Sequence, residues 1–316
     1  MMRIKVKHLA VVAALAIPVA FALMIRADIP AEELKDRYTT PSSRFMNIAG
    51  ADLHYRDEGQ GIPIILLHGT AASLQTWDGW SAELSKQYRV LRLDLPGFGL
   101  TGPNASGSYS IDYYRDLLMH FMDSLGIERA HIGGSSLGGQ IAFDFAATHP
   151  ERVRKLILVS PTGFTNANDK RITLPFRLAQ TPLLKHTLKY ITPRFIVEQS
   201  LREVYGDDNK LKPETISLSH DLLLHEGNRR ALIDRLNTVD TDNLHMLEHV
   251  RAPTLVLWGK ADAWVPVADA SRFQQGIKGA QLKLYAGAGH IPMEEQAHET
   301  VQDVLSFLSQ EVAQLD

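Results

Sequence analysis

The sequence predicts an α/β chain built on a mainly parallel sheet with helices on both faces. Two observations carry this. Wholly apolar runs such as IPIILLHG (62–69) and KLILVS (155–160) read as strands covered on both sides, because a sheet with one wet face would alternate apolar and polar residues. Segments of helical length lie between those runs, and strands joined by helices of that size pair in parallel. A third observation is an interruption: from about Thr165 to Val250 the rhythm stops, four prolines intervene (175, 182, 193 and 213), and no run has the character of a buried strand. This stretch reads as a helical insertion above the C-terminal edge of the sheet, where open α/β folds place their ligand site.

Taken in order, RFMNIAG (44–50) and ADLHYRDEG (51–59) form a hairpin with Gly50 at the turn. IPIILLHG and YRVLRLDLPG (88–97) are buried strands around a helix over 74–86. Ile111, Tyr114, Leu117, Leu118, Phe121, Met122 and Leu125 share one face of a helix. RAHIGG (129–134) is a short strand, 137–148 a helix, and KLILVS the next strand. After the insertion, PTLVLWG (253–259) and QLKLYAG (281–287) resume the sheet, with a helix from about Val267 to Gly276. A last helix covers roughly Glu294 to Ala313.

The N-terminus is of another kind. Arg3, Lys5 and Lys7 precede an apolar run from Leu9 to Ile25, the layout of an export signal. Seventeen residues at ~1.5 Å rise reach about 25 Å, and Lys7 and Arg26 can snorkel to complete a span. We read residues 1–25 as a retained signal-anchor that leaves the basic end in the cytoplasm. Cleavage near Ala20–Ala22 is the alternative and would make the protein secreted. Residues 26–43 read as a linker, residues 44–164 with 251–316 as the core, and 165–250 as the helical lid.

Composition excludes several functions. A net charge of −3 over 316 residues gives no basic surplus for nucleic acid. The absence of cysteine removes disulfides, thiolate metal sites and a cysteine nucleophile. His245-Met-Leu-Glu-His249 matches an inverted zinc-protease pattern, but three fixed positions are a weak signal and a solvated helix face explains them; no metal and no cofactor are expected.

Chemistry concentrates at Gly134-Ser135-Ser136-Leu137-Gly138. A nucleophile on a sharp strand-to-helix turn needs small residues two positions before and two after it, and only Ser136 meets that condition; for Ser135 the template falls on Leu137. A serine hydroxyl needs a base. His290, in the small-residue loop AGAGHIP after the last strand, is the candidate. Asp262, just beyond LVLWG, is the carboxylate that would fix its tautomer. Asp94 also ends a strand but precedes the nucleophile beside a Pro-Gly turn, which suits a structural role. Backbone N–H groups of Leu137 and Thr70 are the candidate oxyanion donors, and His68 is read as a loop-holding residue.

With these pieces in place, LLHGT, LDLPGFGLT, GGSSLGG, LWGKADAWVP and GAGHIPMEE, in this order, make the chain resemble the α/β-hydrolase superfamily across residues 44–314. It looks most like bacterial lipases and esterases with an N-terminal apolar segment. The resemblance implies eight strands, one of them antiparallel, and a helical lid. Haloalkane dehalogenases and soluble epoxide hydrolases carry Asp where this chain has Ser136. The meta-cleavage C–C hydrolases share Ser, Asp and His but typically have Asn before the Ser and Trp after the His, positions held here by Ser135 and Ile291.

The expectation is therefore a serine carboxylesterase or lipase-like enzyme acting on a small-molecule or lipid ester, with Phe176, Leu183 and Leu184 as candidate walls of an acyl pocket. C–C or thioester hydrolysis is the alternative within the class, and a non-catalytic, membrane-tethered binding protein the alternative outside it.

Overall fold

The structure, a computed structural model, describes residues 25–164, 181, 187, 189–240 and 243–310. Its centre is an eight-stranded sheet: β1 (Ser43–Ile48), β2 (Ala51–Glu58), β3 (Pro63–Leu67), β4 (Arg89–Leu93), β5 (Ala130–Ser135), β6 (Val153–Val159), β7 (Thr254–Gly259) and β8 (Gln281–Tyr285). The spatial order is β1-β2-β4-β3-β5-β6-β7-β8, and only β2 runs against its neighbours. The β1–β2 hairpin turns at Ala49 and Gly50, both with positive φ, as a two-residue hairpin matched to strand twist requires.

The long chain helices are α1 (Ala31–Tyr38), α2 (Asp78–Leu84), α3 (Ile111–Ser124), α4 (Leu137–Thr148), α5 (Arg194–Val204), α6 (Pro213–Leu223), α7 (Asn228–Leu236) and α8 (Ala268–Gly276), followed by the short α9 (Pro292–Glu295) and then α10 (Ala297–Ser309). Ser110 caps α3 through its hydroxyl, which accepts the Tyr113 N–H. The expected final helix is divided: Gln296 leaves helical geometry between α9 and α10. Apolar clusters fill both sides of the sheet. One joins Leu91, Leu93 and Ile132 to Phe121, Phe143 and Trp258; the other joins Ile64, Leu66 and Leu257 to Trp77, Trp80, Val304 and Phe307. Cover on both faces is why the central strands β3, β6 and β7 read as nearly unbroken apolar runs.

The linker 26–43 is not a free tether. Residues 31–38 form α1, Leu34 is buried against Leu100 and Leu222, and Arg37 and Tyr38 both bond to Asp221 of α6. Arg229 of α7 pairs with Asp28, and Ile29 N–H donates to Leu224 O at 2.7 Å. Leu34 and Ile29 were apolar marks in a polar stretch too short to show a period, so the segment reads as linker while it packs as a strap. β1 also takes in Ser43, one residue before the expected start of the core. The signal-anchor lies, except for Ile25, outside the described residues, and so does much of the insertion's first part; none of the helices among the described residues is long and apolar enough to cross a membrane.

Candidate active site

β5 ends at Ser135 and α4 begins at Leu137, so Ser136 alone makes the turn, at φ 53° and ψ −116°. A non-glycine residue there is strained and persists only when its surroundings dictate it. The neighbours dictate it by contact. A Cβ on Gly134 would sit 2.1 Å from Gly138 O, and one on Gly138 would sit 2.2 Å from Leu67 O. Ser136 is held on both sides: its N–H donates to Val159 O (3.0 Å), and its carbonyl accepts the Thr162 N–H (3.1 Å).

His290 follows β8 on a loop that passes close to the insertion. Its N–H donates to Val204 O at 2.8 Å, and Gly289 leaves no room for a side chain, since a Cβ would lie 2.4 Å from Gly206 N. The Glu295 carboxylate fastens this crossing by accepting the N–H groups of Gly289 (2.6 Å), Gly206 (2.9 Å) and Asp207 (3.2 Å). Burial raises the Glu295 carboxyl above its ordinary range even so. His290 Nδ1 lies 2.8 Å from Asp262 Oδ2, and the Trp264 ring stacks near the imidazole at 5.9 Å between centroids.

The loop after β3 carries Thr70, one of the two candidate oxyanion donors. Leu95 N–H donates to His68 Nε2 (2.9 Å), which makes Nδ1 the protonated nitrogen, and Nδ1 donates to Gly69 O (2.7 Å). Complete burial pushes the His68 imidazole below its usual range, in keeping with this neutral form. Gly69 passes beside Ser136: a Cβ there would be 3.0 Å from Ser136 Cβ. Thr70 lines the same cavity as Ser136, and Leu137 opens α4, so its N–H has no partner one turn back.

That cavity has a volume of about 920 Å³. Ser136, His290 and Thr70 face it together with Ile191, Val197 and Leu232 from the insertion. Among the described residues Ser136 Oγ makes no hydrogen bond. Catalytic hydrogen bonds are often loose before substrate arrives. Phe176, Leu183 and Leu184 lie outside the described residues. Asp94 accepts from Leu74 N–H (2.7 Å) and Leu100 N–H (2.9 Å) and pairs with His54 (2.7 Å), so it ties β2, β4 and two loops together. His245 and His249 sit in a short 3₁₀ segment (Leu244–His249), and among the described residues no three His, Asp or Glu side chains converge as metal ligands would.

Sequence reasoning passed over Glu294, Glu295 and the strap. Glu294 is on the cavity wall and accepts from Tyr205 OH at 2.7 Å and from Thr76. Its signal was the pair of carboxylates in PMEE, directly after His290. Arg37, Tyr38 and Thr39 of the strap also line the cavity.

Comparison with known proteins agrees with this architecture. The 2-hydroxy-6-oxononadienedioate/2-hydroxy-6-oxononatrienedioate hydrolase of Paraburkholderia phymatum is 30% identical over 85% of this chain and 96% of its own length. The 2-hydroxy-6-oxo-6-phenylhexa-2,4-dienoate hydrolase of Comamonas testosteroni is 31% identical over 85% of this chain and 97% of its own. A meta-cleavage product hydrolase from Pseudomonas fluorescens superposes with a TM-score of 0.72 at 26% identity, covering 84% of this chain and 97% of that one. These relatives differ from the lipase and esterase group that the sequence motifs suggested. The family model described as alpha/beta hydrolase fold matches residues 62–297. With the sheet order, the turn at Ser136 and these likenesses together, the chain belongs to the α/β-hydrolase superfamily and is a hydrolase.

Proposed function

We propose that this is a serine hydrolase that attacks a carbonyl carbon through Ser136, with His290 as base, Asp262 as its orienting carboxylate, and the Thr70 and Leu137 N–H groups as oxyanion donors. The observation that carries the reading is that His290, backed by the buried side chain of Asp262, faces the same cavity as a serine held on a strained turn. His290 takes the Ser136 proton as Oγ adds to the carbonyl, and returns it to the leaving group when the tetrahedral intermediate collapses. Water, deprotonated by the same imidazole, then cleaves the acyl-serine.

For the bond broken, the names of the relatives support a C–C bond beside a ketone, as in meta-cleavage products. There the leaving group is a carbon stabilised by conjugation, and the returned proton goes to that carbon. Carboxylic ester hydrolysis is the second reading, and the cavity favours it. Its arginines are already compensated, Arg37 by Asp221, Arg56 by Asp78 and Arg229 by Asp28, which suits a neutral acyl chain better than a carboxylated dienoate.

A side-by-side assay separates the two. Wild type and Ser136→Ala are given 2-hydroxy-6-oxo-6-phenylhexa-2,4-dienoate and p-nitrophenyl butyrate, and the substrate with the larger Ser136-dependent kcat/KM names the class. Turnover of neither, with no labelling of folded wild type by a fluorophosphonate, would remove both readings and leave the binding-protein alternative. The same proposal includes residues 1–25 as a retained anchor with the hydrolase outside the cytoplasm; recovery of the intact N-terminus from the membrane fraction checks it.

A further inference from the structure

The described structure begins where the apolar run Leu9–Ile25 ends. There Ile25 forms an antiparallel bridge with Ile191, and Arg26 N–H donates to Tyr190 O at 2.9 Å. The exit of the apolar run is thus fastened to the insertion just before α5. Large apolar side chains are exposed at this junction: Ile25 at 51%, Tyr190 at 62% and Phe195 at 61%. The other exposed large apolar residues among those described, Phe45, Ile62, Val239, Val267 and Leu284, are spread over separate elements, which is the ordinary scatter of a soluble surface. Arg26, Lys189 and Arg194 stand within the same two short stretches.

We propose that Ile25, Tyr190 and Phe195 form a patch that rests in a phospholipid bilayer. The proposal rests on the reading of residues 1–25 as a retained anchor. If that run spans the membrane, Ile25 is at the interface, and a bridge partner in hydrogen-bonding distance is held at the same level. A tyrosine and cations are the side chains that an interface accepts, the ring at headgroup depth and the charges toward anionic phosphates. Continuity of the main chain with the apolar run decides for lipid over a second copy of the chain as occupant. The other side of this segment has a different task. Ile191, Thr192, Ile196 and Val197 line the cavity that holds Ser136 and His290. A bilayer at the patch therefore lies one layer of chain from the cavity, and a substrate dissolved in lipid is concentrated beside that wall.

The chain has no cysteine, so single-cysteine variants accept one label each. Full-length Tyr190→Cys, Phe195→Cys and Leu284→Cys, the last on edge strand β8, are labelled with an environment-sensitive fluorophore. They are reconstituted in vesicles of phosphatidylcholine and phosphatidylglycerol, with or without nitroxide lipids. Labels at 190 and 195 shift to the blue and are quenched, more by a nitroxide near the headgroup than by one at the acyl terminus, since interfacial groups sit only ~5–10 Å deep. The label at 284 does neither. Vesicle-bound protein whose labels at 190 and 195 stay as wet as that at 284 overturns the patch and leaves the anchor standing. Protein that does not associate with vesicles overturns both. Blue shifts that follow protein concentration in detergent, without quenching by lipid, overturn it in favour of contact between copies.

Discussion

His290 Nδ1 is 2.8 Å from Asp262 Oδ2, while Asp262 Oδ1 accepts the N–H groups of Trp264 (2.8 Å) and Val265 (2.9 Å). Two backbone donors thus leave one oxygen to face the ring, and Nδ1 must carry the proton that bonds to it. Nε2 is then the basic nitrogen on the cavity side. Asp262→Asn keeps the backbone bonds through its carbonyl but turns an NH₂ toward Nδ1, which favours the wrong tautomer. We expect kcat to fall by about 10⁴-fold with little change in folding. Steady-state kinetics alongside thermal melts check this, and a loss below tenfold would deny Asp262 its role.

The turn at Ser136 makes a sharper demand on the backbone. Gly134→Ala and Gly138→Ala drive a methyl into main-chain oxygens at 2.1 and 2.2 Å, where nothing flexible can yield. Each is expected to cost more than about 4 kcal/mol or to prevent folding. Gly126 is the control: its φ is +64°, but a Cβ would meet nothing within 4 Å, so Gly126→Ala costs only about 1–2 kcal/mol. Urea melts of the three variants order them.

A buried histidine should make the fold sensitive to acid. His131 in β5 is buried, its Nδ1 has no hydrogen-bond partner among the described residues, and burial followed by the charges of Lys155, Arg154 and Arg129 pushes it down to about 4. Between that value and the ordinary ~6.5 the unfolded chain binds a proton that the folded chain refuses. This contribution is complete above ~6.5 and is lost as pH falls toward 4, up to about 3 kcal/mol. The urea midpoint of wild type should drop across this window by more than that of His131→Leu; parallel curves would show that the imidazole is not held neutral.

Glu294 behaves in the opposite sense. Burial raises its carboxyl above the ordinary range, so its contribution weakens as pH rises through the interval between the unfolded and folded values. Glu294→Gln keeps an acceptor for Tyr205 OH and has no charge to desolvate, so it should equal wild type in acid and match or exceed it at pH 8. Glu294→Leu leaves the Tyr205 and Thr76 hydroxyls without their acceptor and costs about 1–3 kcal/mol. Chemical denaturation at two pH values tests both.

The sheet was legible because covered strands cannot hide their composition, and the hairpin because Gly50 sits where a left-handed residue is needed. The Ser136 turn was legible for a similar reason: steric exclusion leaves glycine as its mark. Other features were not, because they depend on contacts between distant segments. Nothing local says that Glu295 will gather N–H groups from both Gly206 and Gly289, or that Leu34 will meet Leu222. The substrate class was least legible. Ser135 and Ile291 pointed away from C–C hydrolysis, whereas the named relatives point toward it, and two positions weigh little against likeness over most of the chain.

The strap has a practical bearing on anyone who trims this protein for solubility. Cutting after residue 40 looks harmless in a polar stretch with prolines, yet it would take away Leu34 from its niche, strip Asp221 and Arg229 of their counter-charges, and open one wall of the cavity to water. A shortened version that begins near Ile25 keeps the insertion seated; one that begins at Pro41 should expose a greasy seam at Leu100 and Leu222 and clump at modest concentration.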